Sequence, residues 1–397
     1  MRQATASGRD TVRATRSIRD STFAIIANGA HDSPPAGPFQ EYLVANGARR
    51  VTMVVHPLTG EGDPRHEITV YERGSEGSRR WVRLPSRPPY TYPLDFFVPP
   101  WPEPVDGWFA FNNLACARGT LARRLGRATT VVYWAVDFVP ARFGTGLMTR
   151  AYDVLDRWCC LHADARFELS RAALDARTER HRLVAGDEAV ARVVPIGAWL
   201  DRVPVVPEHG WEARRVVFIG HLVPRQGVEM LIEALRLLSK RGIEFHAEVA
   251  GRGPLEETLR AAASAEDLDG RLRFHGFISD HREVEALLAN ASVAVAPYDT
   301  RLESFTRFAD PSKLKSYVAA GLPTLTTDVP PNARELADRA GAEVVPFDAE
   351  SFADAIERAL ASPSEWARRR AAALAYAQGF DWSEIFTRAL EAVDFRA

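Results

Sequence analysis

Short apolar runs rich in β-branched residues alternate with helical patterns from Thr22 onward, and no other feature constrains the fold as strongly. The runs fall at residues 22–27, 51–55, 107–111 and 129–133 in the first half, and at 216–219, 245–250, 271–274 and 292–296 in the second. This alternation is typical of parallel sheets covered by helices. The sequence therefore predicts an α/β protein with two Rossmann-like, doubly wound domains that face a central cleft.

The chain length agrees with this division, because 397 residues suit two domains of about 100 to 200 residues each. We predict a disordered tail over 1–20, an N-terminal domain over 21–202, a linker over 203–214, and a C-terminal domain over 215–380. The tail is rich in arginine and poor in apolar residues, and the linker has prolines but no periodicity. Residues 381–397 are predicted to form a helix that could pack back onto the N-terminal domain.

Composition argues against several classes of protein. The chain has 50 Lys and Arg against 52 Asp and Glu, so no overall charge attracts nucleic acid or an acidic membrane. Three cysteines, two of them adjacent, suit a reducing compartment better than a disulfide framework. No apolar run reaches the ~18 residues of a membrane span, and the first residues lack the apolar core of a signal peptide. We expect a cytoplasmic protein without a nucleic-acid partner.

The segment over residues 85–104 is rich in both proline and aromatic residues. Its prolines argue against regular secondary structure. Its large rings would be exposed, and an exposed apolar surface of this kind indicates a contact. The aromatic residues are Tyr90, Tyr92, Phe96, Phe97 and Trp101. We expect peripheral contact with the inner face of the cell membrane through Phe96, Phe97 and Trp101.

Residues that follow the strands are the candidate site residues, because open parallel sheets bind ligands at the carboxyl ends of their strands. After Ile219, a segment bracketed by Gly220 and Gly227 leads into a helix, so its backbone N–H groups could bind phosphate. An ordinary strand-to-helix turn would look the same. The candidates for donor binding in these turns are Gly220, His221, Arg225, Gln226, Gly251 and Arg252.

A long polar segment after Ala296 leads into Ser312 and Lys313 at the start of a helix. The helix dipole and its free N–H groups favour an anion there, and the lysine adds a compact positive charge. The alternative is a solvated lysine in the first turn. A cation is poorly placed at that end of a helix without a ligand, so an anion site is favoured.

In the first half, Asp137 follows the strand that is predicted to end at Tyr133. A carboxylate at that place, among apolar neighbours, could accept a proton from an acceptor hydroxyl as a general base. Capping of the loop is the alternative role. Trp134 next to it, and His31 and Asp32 after the first strand, are candidates for acceptor binding, although His31 and Asp32 could instead cap the following turn.

Other kinds of site are less well supported. Cys159, Cys160 and His162 could suggest metal binding, but adjacent helical positions point in different directions and no fourth ligand is nearby, so no metal site is predicted. A GxxxxGK phosphate loop is absent, and no GxGxxG follows the first strand. Nucleoside triphosphatase and dehydrogenase functions therefore lack their usual motifs.

Residues 215–227 ("RVVFIGHLVPRQG"), followed by "VAGRGPLEETL", "RLRFHGFISD" and "SVAVAPY", resemble the donor domain of family-4-type GT-B glycosyltransferases. The resemblance covers about 170 residues in one order and spacing. It implies two Rossmann-like domains and a nucleotide-sugar donor. In that family arginine and lysine stand at the positions of His221 and Gln226, and two glutamates stand at those of Phe308 and Ser316.

A narrower group, the membrane-associated glucuronosyltransferases of xanthan assembly, is similar in "APYDTRLESFTRFADPSKLKSYVAAGLP", "GAHDSPPAGPFQEYL" and "VVYWAVDFVPA". The resemblance implies that Tyr298 and Lys313 bind the donor and that Asp137 is the base. The donor-side glutamate of that group falls on Phe277, which does not support glucuronate as the donor sugar.

Together these features predict a hexose-type transfer from a nucleoside diphosphate sugar, UDP-linked, to a hydroxyl of a glycan or lipid-linked acceptor in cell-surface polysaccharide synthesis. Lysine, arginines and helix N–H groups would stabilise the leaving diphosphate, so no cofactor or metal is expected. Inversion and retention at the anomeric carbon both remain open. The alternative is a non-catalytic nucleotide-sugar-binding subunit, suggested by the replaced family residues.

Overall fold

The computed structural model describes residues 15–29, 31, 33–57, 65–84, 92–98, 103–140, 142–184, 186, 189–265, 268 and 270–397. The strands in these residues are β1 (Arg16–Ser17), β2 (Thr22–Asn28), β3 (Arg50–His56), β4 (His66–Glu72), β5 (Ser75–Val82), β6 (Val105–Ala110), β7 (Ala128–Ala135), β8 (Ala165–Glu168), β9 (Val190–Val193), β10 (Arg215–Ile219), β11 (His246–Ala250), β12 (Leu272–Gly276), β13 (Val293–Ala296), β14 (Thr324–Thr326), β15 (Glu343–Val344) and β16 (Phe395–Arg396).

The helices are α1 (Ala36–Ala45), α2 (Asn113–Arg124), α3 (Leu147–His162), α4 (Arg171–His181), α5 (Val228–Lys240), α6 (Glu256–Ala265), α7 (His281–Ala289), α8 (Ser312–Ala319), α9 (Ala333–Arg339), α10 (Ala349–Ala361), α11 (Pro363–Ala377) and α12 (Trp382–Glu391). Short 3-10 helices at Tyr92–Phe97, Pro224–Gln226 and Phe305–Arg307 lie in connections that bear on the candidate site.

The larger sheet has eight strands in the order β5-β4-β3-β2-β6-β7-β8-β9. β3, β2, β6 and β7 pair in parallel, whereas β4 and β5 are antiparallel additions at one edge. The parallel strands β2 and β3 are almost continuous apolar runs with nearly every residue buried, as expected for strands that are covered on both faces. β5 is instead exposed and charged, as expected for an edge strand.

The smaller sheet has six parallel strands in the order β12-β11-β10-β13-β14-β15. The strand order reverses between β10 and β13, which is the Rossmann arrangement. α5 buries Val228, Leu231, Ile232, Leu235 and Leu238 against this sheet, one face of a helix of 3.6 residues per turn. The topology therefore predicts a ligand beyond the ends of β10 and β13.

The chain divides into two compact units. The first contains the described residues up to Trp134, with Trp158–Arg166 and Phe386–Ala397, and the second contains Ala135–Arg157 and Phe167–Ile385. In the first unit the ring of Phe386 packs on that of Phe39 at 5.2 Å, and the Tyr42 and Thr387 hydroxyls lie 2.7 Å apart. The last residues of the chain are therefore part of the core of that unit.

The predicted α/β fold with two parallel-stranded sheets is confirmed, and the predicted strands lie within one or two residues of the observed ones. The disordered tail expected over 1–20 is wrong for its last residues. There β1 pairs with β16, and Ile18 is buried because it packs in the core. The segment predicted as a linker is packed, since Val206 is buried and its N–H donates to the carbonyl of Ala320. The predicted domain limits remain a prediction.

Candidate functional site

Glycines hold the turns after β10 and β11 in close contact. Gly220 and Gly251 have φ values of 141° and 147°, which favour glycine. A Cβ on Gly251 would lie 1.8 Å from the carbonyl oxygen of Gly220, and one on Gly227 would lie 1.8 Å from that of Pro297. Any side chain at these two positions would force the backbone apart. The turn predicted to bind phosphate therefore lies at a compact edge of the sheet, where the backbone groups of these turns are in close contact.

Lys313 reaches this edge from the first turn of α8. Its Nζ donates a hydrogen bond to Oε1 of Gln226 at 2.6 Å, and a Cβ on Gly220 would lie 2.8 Å from the same Nζ. The ammonium also lies 4.2 Å from the ring centroid of Phe218 and 5.1 Å from that of Tyr298. The structure thus brings together four of the predicted donor-binding residues, namely Gly220, Gln226, Tyr298 and Lys313.

The surroundings of Lys313 disfavour its charge. Burial lowers the pKa of Lys313 from 10.5 to about 7, because the ammonium loses its hydration among aromatic rings. Its hydrogen-bond acceptor, Gln226, is a neutral amide rather than a carboxylate. An anion at this place would restore the missing electrostatic stabilisation. The geometry therefore suits a ligand with a phosphate or carboxylate group.

Two further polar groups at this edge lack partners. The Tyr298 hydroxyl and Nε of Arg225 are buried and form no hydrogen bond within the described part of the chain. Burial raises the pKa of Tyr298 well above its usual range, so its hydroxyl is a neutral donor. The Arg225 guanidinium lies over the Phe305 ring at 5.0 Å. Buried groups without partners are costly unless a ligand or water binds them.

The remaining predicted donor residues lie nearer the solvent. His221, Arg252 and Ser312 are exposed, and Phe277 is 65% exposed. Ser316 is half-buried, and its hydroxyl donates to the carbonyl of Ser312. No hydrogen bond among the described residues joins these side chains to Lys313. Their role in donor binding remains a prediction.

Asp137 has different surroundings from those expected. Its side chain is 47% exposed, and its carboxylate faces Arg142 at 3.6 Å rather than apolar neighbours. Its backbone carbonyl accepts a hydrogen bond from Nη2 of Arg177 at 2.8 Å. The carboxylate is therefore accessible, while the backbone beneath it is held by a buried guanidinium.

A buried polar network, which sequence reasoning missed, supports this segment. Arg177 donates to Glu168 at 2.7 Å and to Asp156, and Nε2 of His181 lies 2.6 Å from Asp156. The Arg177 guanidinium also lies over the Phe138 ring at 5.4 Å. The signal in the sequence is weak, because these residues are far apart in the chain. Their burial indicates a fixed position for residues 137 and 138.

The Asp137 segment also touches the segment that precedes α8. The rings of Phe138 and Phe308 lie 5.0 Å apart in an edge contact, and the Ser170 hydroxyl donates to the carbonyl of Phe308. Phe308 occupies one of the two positions at which the resembled family has a glutamate. A carboxylate role at that position is therefore replaced by apolar packing.

The acceptor residues predicted near Asp137 and after β2 have mixed outcomes. Trp134 is wrong as an acceptor contact, because β7 continues to Ala135 and places the ring in the core, stacked on Phe111 at 5.0 Å. His31 is half-buried, and its Nε2 lies 3.2 Å from the Tyr71 hydroxyl. Asp32 lies outside the described residues. His31 thus remains a candidate on the strength of its position alone.

The cysteine and histidine side chains that could suggest metal binding contact other parts of the first unit instead. Cys159 and Cys160 are buried, and the Cys159 thiol donates to the carbonyl of Asn113 at 3.2 Å. Nδ1 of His162 is hydrogen-bonded to the carbonyl of Trp158 at 2.8 Å instead. In the part of the chain that the structure describes, the cluster with metal-ligand spacing is a different one, formed by His56, His66 and Asp95. Nothing in the sequence spacing indicated that set.

The proline-rich segment is described only in part. Tyr90 and Trp101 lie outside the described residues, whereas Tyr92–Phe97 forms a 3-10 helix, so the expectation of no regular structure is wrong there. Phe97 is 68% exposed and contacts the ring of Phe96 at 5.1 Å. No helix within the described ranges is long and apolar enough to span a membrane.

Comparison with known proteins relates the part of the chain that forms the smaller sheet to a known family. Residues 213–362 match the family described as Glycosyl transferases group 1. A GDP-mannose-dependent alpha-(1-6)-phosphatidylinositol dimannoside mannosyltransferase of Mycobacterium tuberculosis is 38% identical over 82 residues, 21% of this chain and 20% of that protein. Alpha-D-kanosaminyltransferase of Streptomyces kanamyceticus is 26% identical over 235 residues, 55% and 58% of the two chains.

The chain thus spans between a fifth and about three fifths of the length of these two relatives. Among solved structures, Anabaena HepE in complex with UDP is similar with a TM-score of 0.61 and 16% identity, covering 94% of this chain and 99% of that one. Likeness at such identity shows the fold. The chain has the GT-B fold, and its residues 213–362 are similar in sequence to group 1 glycosyltransferases.

Proposed function

We propose that the protein is a glycosyltransferase that moves a hexose-type sugar from a nucleoside diphosphate sugar to a hydroxyl of a glycan or glycolipid. The observation that carries the proposal is the placement of Lys313 beside the glycine turns at the reversal of strand order. The family match over residues 213–362 and the relatives' names, both glycosyltransferases, support it.

The donor diphosphate would bind between the Gly220 turn and the N-terminus of α8. Lys313 would exchange Gln226 for a phosphate oxygen, and Arg225 would offer its unpartnered Nε. The Tyr298 hydroxyl would donate a further hydrogen bond. A charge-assisted hydrogen bond of this kind contributes about 1.5 to 3 kcal/mol. These groups would stabilise the negative charge on the departing nucleotide without a divalent ion.

We propose UDP as the nucleotide, supported by the UDP bound in the similar HepE structure. The mannosyltransferase relative is instead named as GDP-mannose-dependent. The two nucleotides share the diphosphate and differ in the base, so the residues discussed here do not distinguish them. Calorimetric titration with UDP and GDP separates the two, and a preference for GDP would redirect the donor assignment.

Asp137 is proposed as the general base. It would take the proton of the acceptor hydroxyl while the acceptor oxygen bonds to the anomeric carbon, and the bond from that carbon to the phosphate oxygen breaks. The nucleotide leaves as an anion. Attack from the face opposite the phosphate inverts the configuration, whereas stabilisation of an oxocarbenium-like state by Asp137 would permit retention. NMR of the product's anomeric proton distinguishes these outcomes.

A lipid-linked acceptor at the inner face of the membrane is proposed from two exposed apolar surfaces. The first is the aromatic segment, with Phe97 68% exposed. The second is the start of α3, where Leu147, Met148 and Val154 are 81%, 65% and 71% exposed. Exposed arginine lies among them at position 150, and basic residues beside apolar ones suit an anionic lipid surface. The resemblance to membrane-associated enzymes of xanthan assembly agrees with such an acceptor.

The test compares turnover with binding. The purified protein is screened against nucleotide sugars for release of the nucleoside diphosphate, with lipid and glycan acceptors. Asp137→Asn should lower turnover by about 10²-fold or more with nearly unchanged donor affinity. Asp338→Asn, on the exposed surface of α9, is the matched control. Donor binding without turnover on any acceptor would support the alternative, a non-catalytic binding subunit, and near-normal turnover in folded Asp137→Asn would remove Asp137 as the base.

A further inference from the structure

Three buried side chains in the first unit form a compact set of metal-ligand atoms. His56 is the last residue of β3, His66 is the first of β4, and Asp95 lies in the 3-10 helix Tyr92–Phe97. Their exposures are 2%, 0% and 4%. None of the three belongs to the proposed donor site.

The distances among these atoms are those of a coordination site. Nδ1 of His56 lies 2.8 Å from Nδ1 of His66, and Oδ1 of Asp95 lies 3.9 Å and 3.6 Å from these two nitrogens. A triangle with these sides has a circumscribed radius of about 2.0 Å, so one point is about 2.0 Å from all three atoms. Zinc bonds to imidazole nitrogen and carboxylate oxygen at about 2.0 to 2.2 Å. Tetrahedral angles at that bond length require separations of about 3.3 Å, so binding would widen the nitrogen pair by about 0.5 Å and shorten the two nitrogen–oxygen distances by about 0.3 to 0.6 Å.

Two polar atoms of the set have no hydrogen-bond partner in the part of the chain that the structure describes. Oδ1 of Asp95 and Nε2 of His66 are buried and form no hydrogen bond within the described residues. A hydrogen bond between the two Nδ1 atoms would explain the first distance, but Oδ1 of Asp95 still has no hydrogen bond within the described residues, although the Asn28 side chain is hydrogen-bonded to the same carboxyl group. Burying an unpaired carboxylate oxygen is costly. A cation bound to all three atoms removes that cost.

The electrostatics of the histidines agree with metal binding. Burial lowers the pKa of His56 to about 3 and also lowers that of His66, so both imidazoles are neutral and keep a lone pair for a metal. Burial raises the pKa of Asp95 to about 7, and a bound cation would stabilise its charged form. The neighbouring guanidinium of Arg118 donates to the carbonyl of Val98 at 2.9 Å, and its positive charge also contributes to the lowered pKa of His56.

We propose that His56, His66 and Asp95 bind a zinc ion that ties the end of β3 and the start of β4 to the 3-10 helix Tyr92–Phe97. Two imidazoles and one carboxylate are a ligand set that zinc accepts, and the tight, buried geometry favours a small cation over calcium. The ion would have a structural role here, because its three ligands hold two strands and a 3-10 helix of the first unit together.

The test measures metal directly. Protein purified without chelator should contain about one zinc per chain by elemental analysis, and Asp95→Asn and His66→Gln should reduce this at least tenfold. His162→Gln is the control, since its ring nitrogen binds a backbone carbonyl in the first unit. Protein stripped by chelator should bind Co²⁺ with visible absorption bands. Stoichiometric zinc in both folded variants, or a wild type that neither contains nor binds zinc or Co²⁺, overturns the proposal.

A measurement on the wild-type protein tests the proposal even if the variants fail to fold. X-ray absorption at the zinc edge should show nitrogen and oxygen neighbours at about 2.0 to 2.2 Å, including two imidazoles, and no sulfur. Sulfur neighbours would place the ion at cysteine instead and refute the assignment. A single imidazole would do the same. Neither measurement depends on glycosyltransferase activity.

Discussion

The depressed pKa of Lys313 predicts that donor affinity falls as the pH rises through neutrality. The free protein holds this side chain among aromatic rings, where its pKa is about 7. A bound diphosphate favours the charged ammonium. Binding must therefore take up a proton wherever the free lysine is neutral, and the affinity then carries the cost of that protonation.

The size of the effect follows from the fraction of free protein with a charged lysine. With a pKa of about 7, that fraction is about nine tenths at pH 6 and about one tenth at pH 8. The apparent affinity should thus fall about tenfold between these two values.

Stability of the free protein should change in the opposite sense. The unfolded chain keeps this lysine protonated up to its usual pKa of 10.5, so unfolding takes up a proton and stability rises with pH between about 7 and 10.

The assay is calorimetric titration with a UDP sugar at pH 6, 7 and 8. Its phosphates are diesters, which lack the second ionisation near pH 6 that UDP itself has. Repeating the titration at pH 8 in two buffers with different ionisation enthalpies should reveal uptake of nearly one proton. The chain has three lysines, and two of them, Lys313 and Lys240, provide the variants for this assay. Lys313→Arg stays charged and should lose the pH dependence, Lys313→Met should bind weakly at every pH, and exposed Lys240→Met should behave like the wild type.

Two results would refute this reasoning. One is a wild-type affinity that stays constant from pH 6 to 8, which would mean that the ammonium is charged throughout or does not meet the diphosphate. The other is a Lys313→Arg variant that keeps the slope, which would assign the titration to another group.

Three other predictions concern the turns, the metal and the membrane. Gly251→Ala should abolish donor binding or lower the free energy of unfolding by several kcal/mol, since the added Cβ would collide with the Gly220 carbonyl. The control is Gly242→Ala, whose added Cβ would have no atom within 4 Å, so it should lower the free energy of unfolding much less in a denaturant titration. Omitting Mg²⁺ and Mn²⁺ should leave the initial rate of transfer within about twofold, because cationic side chains stabilise the leaving group; a strict requirement for either ion argues otherwise. Phe97→Ser should weaken flotation with anionic vesicles, whereas equal flotation of wild type and variant would indicate that the segment is not the contact.

Apolar periodicity was sufficient to predict the two-sheet fold and the longer parallel strands, but it missed β14 and β15, which have only three and two residues. It failed for β5, because this exposed edge strand has charged residues and no apolar run. It also failed for β4. It also placed the end of β7 two residues too early. That error turned Trp134, a core residue, into a candidate for acceptor binding.

The candidate site could be predicted only as far as local backbone rules apply. Gly220 and Gly251 are conspicuous because turns after strands often need glycine, and Lys313 because it opens a helix. The contact between Lys313 and Gln226 joins residues far apart in the chain, so no local pattern contains it. The same holds for His56, His66 and Asp95, which lie on three different elements and come together only through the sheet.

The pairing of β1 with β16 has a consequence for how the protein is made. The ring of Phe395 packs on that of Phe23 at 5.1 Å, and the ring of Phe386 packs on that of Phe39. The unit translated first therefore lacks part of its core until residues 386–395 leave the ribosome. Domains usually fold in order of synthesis. Here the second unit, whose residues end at 385, could be complete earlier, and chains arrested before residue 386 should carry an unfinished first unit that proteases cleave readily.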